Sequence, residues 1–457
     1  MVGTSTSHID ALFNRLAVDK RATVIFENGS EIDAGALLDR SHAWITELRR
    51  QGLSAGDVCA IVGDFGRESV SLMLALMRLG AIAMPLSDST IQLERLLAIA
   101  GARWVIQCQT DAGFLVETIA GLPQNDLIVQ FQAIQHPGLV VFTSGSSGEP
   151  KGILHDFERV LGKFSIARRG WRTILFLTID HFGGINTLLG CLAHGGIGVC
   201  LPSRTPDAVC SAIETVRAEL LPTTPTFLKV LLASGCWKSY DLSSLQMITY
   251  GAEPMPQATL DRVTTIFPQA KLKQTYGLSE LGVLHSKSLD DKSLWLRVGG
   301  EGFETRIVDG VLQIRSQSNM IGYLNAPSPI DCDGWMSTGD LIEQRNGFIR
   351  FLGRVSEIIN VGGQKVFPGE IEDVLLGADG VADATVFAAP HPLLGQAVCA
   401  RVSLMPQEPP EMAVNRLRQY CRERLAKFKV PMRFEIVDAN AQSTDRNKKF
   451  RPATKKV

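Results

Sequence analysis

One stretch of the sequence constrains this chain more than any other: the segment from Phe142 to Gly152, which reads FTSGSSGEPKG. Three glycines, four hydroxyl side chains and one lysine directly follow the apolar run GLVV of residues 138–141. A buried strand that ends in such a loop offers backbone N–H groups, hydroxyls and a cation to a polyanion. The segment therefore predicts a cradle for a triphosphate. Its candidate ligands are Thr143, Ser144, Gly145, Ser146, Ser147, Gly148 and Lys151.

Two other interpretations of this segment are weaker. Its spacing differs from G-x-x-x-x-G-K-S/T, so it is not a Walker loop. A flexible Gly/Ser linker is the alternative. A linker explains neither the Pro-Lys-Gly ending nor the apolar strand that precedes the loop.

Bulk composition narrows the class of protein. The 457 residues suffice for more than one domain, and 45% hydrophobic with 20% charged residues is typical of a soluble globular protein. A net charge of -1 draws the chain neither to nucleic acid nor to an anionic membrane, and no apolar run is long enough to span a bilayer. No signal peptide is visible. Nine cysteines without a CxxC pair indicate free thiols in a reducing, cytoplasmic setting, not disulfides or a zinc site.

The first part of the chain alternates helical and strand patterns. Helices are predicted at residues 35–50 and 68–78, and strands at 57–62, 81–86, 104–106, 174–177 and 197–201. This alternation predicts an α/β fold with layered, largely parallel sheets.

The pattern changes after residue 300. Short alternating strands at 303–308, 311–315 and 348–352 predict a small antiparallel or barrel-like subdomain. Beyond it, a helix at 369–376, a strand at 381–388 and a helix at 414–428 predict an α+β unit. The chain is therefore expected to comprise an N-terminal domain of residues 1–352 and a small C-terminal domain of residues 353–457.

Five further motifs follow the loop in a fixed order. They are Gly251-Ala252-Glu253-Pro254, Tyr276-Gly277-Leu278-Ser279-Glu280, Ser337-Thr338-Gly339-Asp340, the segment of residues 353–372, and the segment of residues 444–451. Each alone is an ordinary turn or tail. Together with the loop they resemble the adenylate-forming superfamily, which contains acyl-CoA synthetases, peptide-synthetase adenylation domains and luciferases.

The resemblance implies a nucleotide site. Gly251, Ala252 and Glu253 would lie against the adenine, on which Tyr276 of the Tyr276-Gly277 pair would stack. Ser279, where the family usually has Thr, would donate to phosphate, and Glu280 would hold Mg²⁺, for which a carboxylate is suited. Asp340 would accept hydrogen bonds from both ribose hydroxyls, and Arg354 would reach the ribose or a phosphate.

The resemblance also implies a mobile C-terminal domain. Lys448 aligns with the family's catalytic lysine, although Asn447 replaces the usual glycine and Lys449 makes the register ambiguous by one residue. A solvated basic tail is the alternative. Ser356 stands at the hinge position, usually Asp or Lys. Gly362 and Gly363 match the acyl- and aryl-CoA ligase form of the loop that lines the pantetheine tunnel.

A two-step reaction follows from this resemblance. A small-molecule carboxylate would react with ATP to give acyl-AMP and pyrophosphate, and a thiol would then release AMP. The glycine loop favours CoA as the thiol. The alternative is a stand-alone adenylation enzyme that loads the phosphopantetheine of an acyl carrier protein. A nucleotide-binding protein without catalysis is disfavoured by the complete set Glu280, Asp340, Arg354 and Lys448, and no G-x-G-x-x-G suggests a dehydrogenase.

The substrate is less constrained. His181 fits the position that the family places near the reacting carboxylate, with a core histidine as the alternative. Amino-acid-activating relatives carry Asp at the next position, where this chain has Phe182. A phenyl ring cannot pair with an ammonium, so a non-amino aliphatic or aryl carboxylate is expected, with a β-amino acid as the alternative. The predicted pocket residues are Phe182, Ile185, Thr226, Tyr250 and Ala252.

Overall fold

A computed structural model describes residues 7–109, 113–144, 149–300, 302–405 and 408–437. Its helices are α1 (His8–Val18), α2 (Ala34–Gln51), α3 (Arg67–Leu79), α4 (Leu93–Ala100), α5 (Asp126–Gln132), α6 (Phe157–Gly162), α7 (Phe182–His194), α8 (Pro206–Val216), α9 (Pro225–Ser234), α10 (Gln257–Ile266), α11 (Pro368–Leu376) and α12 (Pro410–Arg424). Among these described residues, no helix is both long enough and apolar enough to cross a membrane.

The strands fall in three regions. The N-terminal region contains β1 (Thr23–Glu27), β2 (Ser30–Asp33), β3 (Val58–Val62), β4 (Ile82–Leu86), β5 (Trp104–Gln109), β6 (Gly113–Thr118), β7 (Gly138–Ser144), β8 (Pro150–Asp156), β9 (Arg172–Ile174), β10 (Ile197–Val199), β11 (Leu220–Thr223), β12 (Met247–Tyr250) and β13 (Lys271–Gln274). The middle region contains β14 (Tyr276–Leu278), β15 (Gly282–Leu284), β16 (Ser286–Ser288), β17 (Leu296–Val298), β18 (Phe303–Val308), β19 (Val311–Ser316), β20 (Gly322–Tyr323), β21 (Trp335–Arg345) and β22 (Phe348–Arg354). The C-terminal region contains β23 (Ile359–Val361), β24 (Gln364–Val366), β25 (Val381–His391), β26 (Gly395–Leu404) and β27 (Arg433–Ile436).

Two seven-stranded sheets form the N-terminal part. Their strand orders are β13-β12-β11-β9-β10-β1-β2 and β20-β8-β7-β4-β3-β5-β6. Pairing is parallel throughout except for β2 in the first sheet and β20, β8 and β6 in the second. The predicted fold of layered, largely parallel α/β sheets is confirmed.

Apolar patterning accounts for the layers. The central strand β3 reads VCAIV and is buried along most of its length, as expected for a parallel sheet that is covered on both faces. Between the sheets, one core cluster joins Ile25 of β1 to Ile61 of β3 through Leu37, Leu72 and Leu188 of the helices. Helix α2 begins where the Asp33 carboxylate accepts a hydrogen bond from the Ala36 N–H, 2.7 Å away.

The register of three parallel strands creates the edge where the site lies. Thr223 of β11 pairs with Tyr250 of β12, which pairs with Gln274 of β13. Their carboxyl ends are therefore level, and the chain leaves each strand at the same edge. In open α/β sheets, ligands bind outside the carboxyl ends of the strands.

The middle region contains a six-stranded antiparallel sheet in the order β16-β17-β22-β21-β19-β18, as predicted for an antiparallel subdomain. One detail differs from expectation. The motif ending in Asp340, which alone is an ordinary turn, lies within β21, next to a register shift between Leu341 and Ile342. This irregularity allows a sequence that resembles a turn to be part of one long strand.

The C-terminal region is a five-stranded sheet in the order β24-β23-β26-β25, with β27 beside β26, and it has its own core packed by α11 and α12. Helix α12 ends at Arg424, before the predicted residue 428, because Leu425 adopts an extended conformation. Buried Lys229 of α9 forms an ion pair with Asp383 of β25, which joins this region to the N-terminal sheets. The boundary near residue 353 stays a prediction.

All nine cysteines are free thiols, and six of them are buried. Burial raises the pKa of the Cys191 and Cys421 thiols to about 11, so both are protonated at neutral pH. The free thiols predicted from the sequence are therefore mostly buried, whereas Cys332 is exposed.

Candidate active site

A cavity of about 1470 Å³ opens at the level carboxyl ends of β11, β12 and β13. Twelve of the residues singled out from the sequence line it: Thr143, Lys151, His181, Gly251, Ala252, Glu253, Tyr276, Gly277, Ser279, Glu280, Asp340 and Arg354. They come from segments up to about 200 residues apart in the chain. Gly145, Ser146, Ser147, Gly148 and Lys448 lie outside the described residues, and Ser144 is the last residue of β7.

At one end of the cavity, two donors converge on Asp340. The Tyr276 hydroxyl donates to Oδ2 at 2.6 Å, and Nε of Arg354 donates to Oδ1 at 3.1 Å. The pairing of β21 with β22 places Asp340 directly opposite Arg354. Burial and the neighbouring Asp340 carboxylate raise the pKa of Tyr276 well above its usual value, so its hydroxyl remains a donor.

The segments that were predicted to face an adenine pack tightly. The Tyr276 ring stacks on Phe351, with centroids 4.6 Å apart and planes 19° from parallel. The loop after β12 approaches the next strand so closely that a Cβ on Gly251 would lie 2.5 Å from Oγ1 of Thr275. A Cβ on Gly277 would lie 2.7 Å from the Gly282 carbonyl oxygen. Both glycines are therefore required by backbone packing, and Phe351 is a site residue that the motifs do not reveal.

Tyr323 contacts both Glu280 and Lys151. The Tyr323 hydroxyl donates to Oε1 of Glu280 at 2.6 Å, and Nζ of Lys151 lies 5.1 Å from the centre of the Tyr323 ring. Asn325 joins the same region, because its Oδ1 accepts from the Gly152 N–H at 3.0 Å and its amide donates to the Pro150 carbonyl. Both Tyr323 and Asn325 follow from the pairing of β20 with β8, which the sequence did not predict.

The donor set at Glu280 fits one mode of magnesium binding. Within the described ranges, no group of three or more His, Cys, Asp or Glu side chains could hold a metal by itself. Mg²⁺ commonly takes one or two carboxylates together with the phosphates of a substrate. A single carboxylate that lines this cavity suits that arrangement.

His155 was missed by the sequence analysis. It is fully buried on β8, and its Nε2 donates to the Ser279 carbonyl oxygen at 2.7 Å. Burial lowers its pKa to about 4, so the imidazole is neutral at pH 7. Its ring lies 4.7 Å from that of Phe182. His155 therefore supports the turn that presents Glu280.

His181 both caps a helix and lines the cavity. Its Nδ1 accepts a hydrogen bond from the Gly183 N–H at 3.0 Å at the start of α7, which leaves the proton on Nε2. Phe182 lines the cavity beside it.

The predicted acyl pocket is partly wrong. Thr226 and Ala252 line the cavity, as Phe182 does. Ile185 and Tyr250 instead lie in the core, 0% and 1% exposed, because they face the opposite side of their helix and strand. Asp180, two residues before Phe182, is buried, and its carboxylate accepts a hydrogen bond from the Thr178 hydroxyl.

Gly362 and Gly363 form the turn of the β23–β24 hairpin, with φ values of +57° and +88°. Successive positive φ values are the reason for glycine at both positions. Neither glycine is among the described residues that line the cavity. The C-terminal region lines it with Phe367, Gly369 and Glu370, next to the predicted hinge residue Ser356.

Lys163 is a further cavity residue that the sequence did not indicate. Burial and the nearby cations Arg168 and Lys273 lower its pKa to about 7. An unfolded lysine titrates near 10.5, so between these values the native state binds fewer protons than the unfolded state. Stability contributed by this group therefore rises with pH over that window.

We expect the unmodified protein to become more stable relative to Lys163→Met as pH rises from 7 to 9.5, that is, its free energy of unfolding should rise more steeply with pH. The gain is at most about 1.4 kcal/mol per pH unit, the value for one proton. Chemical denaturation at several pH values measures it, with exposed Lys287→Met as the control. A pH-independent difference would contradict the lowered pKa.

Two family models and several known proteins match this chain. The family described as "AMP-binding enzyme" matches residues 13–324, and its C-terminal domain matches residues 370–449. An octahydroindenyl-propanoyl:CoA ligase of Rhodococcus jostii is 29% identical over 322 residues, covering 66% of this chain and 61% of that protein, less than two thirds of its length. A feruloyl-CoA synthase of an Amycolatopsis species is 25% identical, covering 93% of this chain and 94% of that protein.

Solved structures show the same fold. The anthranilate CoA ligase AuaEII, in complex with anthranoyl-AMP, superposes with a TM-score of 0.80 at 21% identity, covering 94% of this chain and 93% of that one. The expected fold is thereby confirmed. With the two family matches covering most of its length, this chain belongs to the AMP-binding enzymes of the adenylate-forming superfamily.

Proposed function

We propose that this protein uses ATP to convert a carboxylic acid into acyl-AMP and then transfers the acyl group to the thiol of CoA. One observation carries the proposal: a single cavity joins the Asp340–Tyr276–Arg354 cluster, the Glu280–Tyr323–Lys151 cluster and His181. The first suits a ribose, the second a magnesium-bound triphosphate, and the third stands beside the space left for the acid. The names of the relatives, which are CoA ligases, support the same activity.

In the first step, a carboxylate oxygen forms a bond to the α-phosphorus while the bond from that phosphorus to pyrophosphate breaks. No protein nucleophile is needed, so the residues serve to position and to balance charge. Asp340 holds the ribose, the packed turn at Gly251 and Gly277 holds the adenine, and Lys151 faces the phosphates. When bound at Glu280, Mg²⁺ supplies positive charge to the phosphate oxygens.

In the second step, the CoA sulfur forms a bond to the acyl carbon, and the bond from that carbon to the AMP oxygen breaks. The C-terminal domain turns between steps, withdrawing Lys448 and bringing the Gly362–Gly363 hairpin to the thiol. A hairpin tip without side chains leaves room for a pantetheine arm. The contacts that a rotation must break include the Lys229–Asp383 ion pair.

The second candidate acceptor is a carrier-protein phosphopantetheine, which would use the same hairpin. Free CoA is favoured because Gly362 and Gly363 match the CoA ligase form of the loop. Nine unpaired cysteines also suit a reducing, cytoplasmic location.

Pyrophosphate release against a panel of carboxylic acids, with and without CoA, tests the proposal. We expect acid-dependent ATP–pyrophosphate exchange without CoA, and acyl-CoA with stoichiometric AMP when CoA is added. Exchange that never yields acyl-CoA would favour the carrier-protein alternative. The complete lack of exchange with every acid would contradict adenylation.

A further inference from the structure

The part of the cavity beyond Phe182 follows one face of helix α7. The helix residues that line it are Phe182, Gly183, Asn186, Thr187, Gly190, Cys191 and His194. Their spacing of three and four places them on a single face. At ~1.5 Å per residue, this face runs about 18 Å from the site of the reacting acid to His194. The acid pocket is therefore long enough for a group far from the activated carboxylate.

Lys163 enters this pocket beside Asn186, which lies one turn of α7 after Phe182. Its Nζ donates to Oδ1 of Asn186 and, at 2.7 Å, to the Val283 carbonyl oxygen. An ammonium has three N–H donors, so these bonds account for two of them. Both partners are neutral, and they fix the position of the charge without balancing it.

Further basic side chains lie near Lys163. Arg168 and Lys273 line the same cavity, as do His194 and His285. The Arg168 guanidinium lies 3.2 Å from Nδ1 of His285. Burial and the Arg168 charge lower the pKa of both Lys273 and His194, in the same direction as that of Lys163. In the described part of the chain, the hydrogen bonds of Lys163 and Arg168 go to an amide, a carbonyl and an imidazole, not to a carboxylate.

The neighbouring arginine shows the contrast. Arg169 also borders the cavity, but its guanidinium forms an ion pair with Glu219 at 2.6 Å and lies 4.1 Å from the centre of the Trp171 ring. Its charge is therefore balanced within the protein. Lys163 and Lys273 are partly buried and Arg168 is exposed. Shielding a charge from water without an opposite charge is costly, so the Lys163–Arg168–Lys273 cluster creates a site that an anion would stabilise.

We propose that the acid activated by this enzyme carries a second carboxylate, which the Lys163–Arg168–Lys273 cluster binds. This inference rests on the proposed function, since it assigns the cavity to the acyl group. CoA is the other possible source of anionic groups. The acid is favoured because Lys163 is tied to Asn186, on the same helix face as Phe182 and one turn from it, inside the pocket.

The test compares matched acids in the pyrophosphate-exchange assay: adipate against hexanoate, and terephthalate against benzoate, with longer homologues of each. We expect the dicarboxylates to be preferred in kcat/KM by roughly 30- to 1,000-fold, the usual range for a buried, hydrogen-bonded charge pair. Lys163→Met and Arg168→Gln should each reduce that preference. Arg169→Gln, on the adjacent residue, should leave the preference unchanged because Glu219 already balances Arg169.

Three outcomes would overturn the inference. The first is a preference for monocarboxylates. The second is an equal loss of activity with both acids in Lys163→Met and Arg168→Gln. The third is unchanged exchange in these variants together with a raised KM for CoA in a separate assay of acyl-CoA formation. The exposed Arg168 keeps the test valid if Lys163→Met fails to fold. If only monocarboxylates support exchange, the proposal of a second carboxylate is wrong but the proposed function stands. If none of the acids supports exchange, the proposed function itself is wrong.

Discussion

Replacing Lys448 with alanine is expected to lower ATP–pyrophosphate exchange by about a thousandfold, because one fixed group that balances developing charge contributes roughly 10²–10³ in rate. Thioester formation from synthetic acyl-AMP should be largely unchanged, since that half-reaction no longer transfers charge to pyrophosphate. Lys448 lies outside the described residues, so its role rests on sequence. The family match to the C-terminal domain extends to residue 449 and includes it.

The neighbouring lysine provides the matched control. Lys449→Ala should keep most of the exchange activity, because only one of the two side chains can occupy the position beside the phosphates. If Lys449→Ala alone removed exchange, the register would be displaced by one residue. Equal loss of both half-reactions in Lys448→Ala would instead contradict a role confined to adenylation.

Local patterns in the sequence were sufficient for much of the fold. The run VCAIV predicted the central strand β3, and the periodic apolar residues before Gly52 predicted helix α2. The motifs at Gly251 and Tyr276 come together for a simple reason, because they follow β12 and β13, whose carboxyl ends are level. Local patterns failed at Asp340, because a sequence typical of a turn forms part of the long strand β21.

Residues that act through distant pairing could not be predicted. Tyr323 reaches Glu280 because β20 pairs with β8 across more than 150 residues of chain, and no local pattern encodes that pairing. Lys163 resembles an ordinary surface lysine at the end of α6 until α7 and β15 enclose it. The errors at Ile185 and Tyr250 have the same origin, because proximity to a motif does not determine which face a side chain occupies.

Replacing Asp340 with alanine is expected to lower kcat/KM for ATP by about 10²- to 10⁴-fold, since two hydrogen bonds to a charged group contribute ~1.5–3 kcal/mol each. The Asp340 carboxylate is 8% exposed and already accepts from Tyr276 and Arg354. An ionised carboxylate has about four lone-pair sites, so two stay available for the ribose hydroxyls. Pyrophosphate release at saturating acid measures the loss.

Two controls distinguish binding of the ribose by Asp340 from a purely structural role of its carboxylate. Tyr276→Phe removes one neutral donor to Asp340 and should cost only about 5- to 10-fold, the equivalent of a single ordinary hydrogen bond. With 2′-deoxy-ATP, the unmodified enzyme should lose activity, while Asp340→Ala should barely distinguish the two nucleotides, because its lost acceptor was the partner of the missing hydroxyl. If Asp340→Ala discriminated between them as strongly as the unmodified enzyme, the carboxylate would serve to hold Tyr276 and Arg354 and not the ribose.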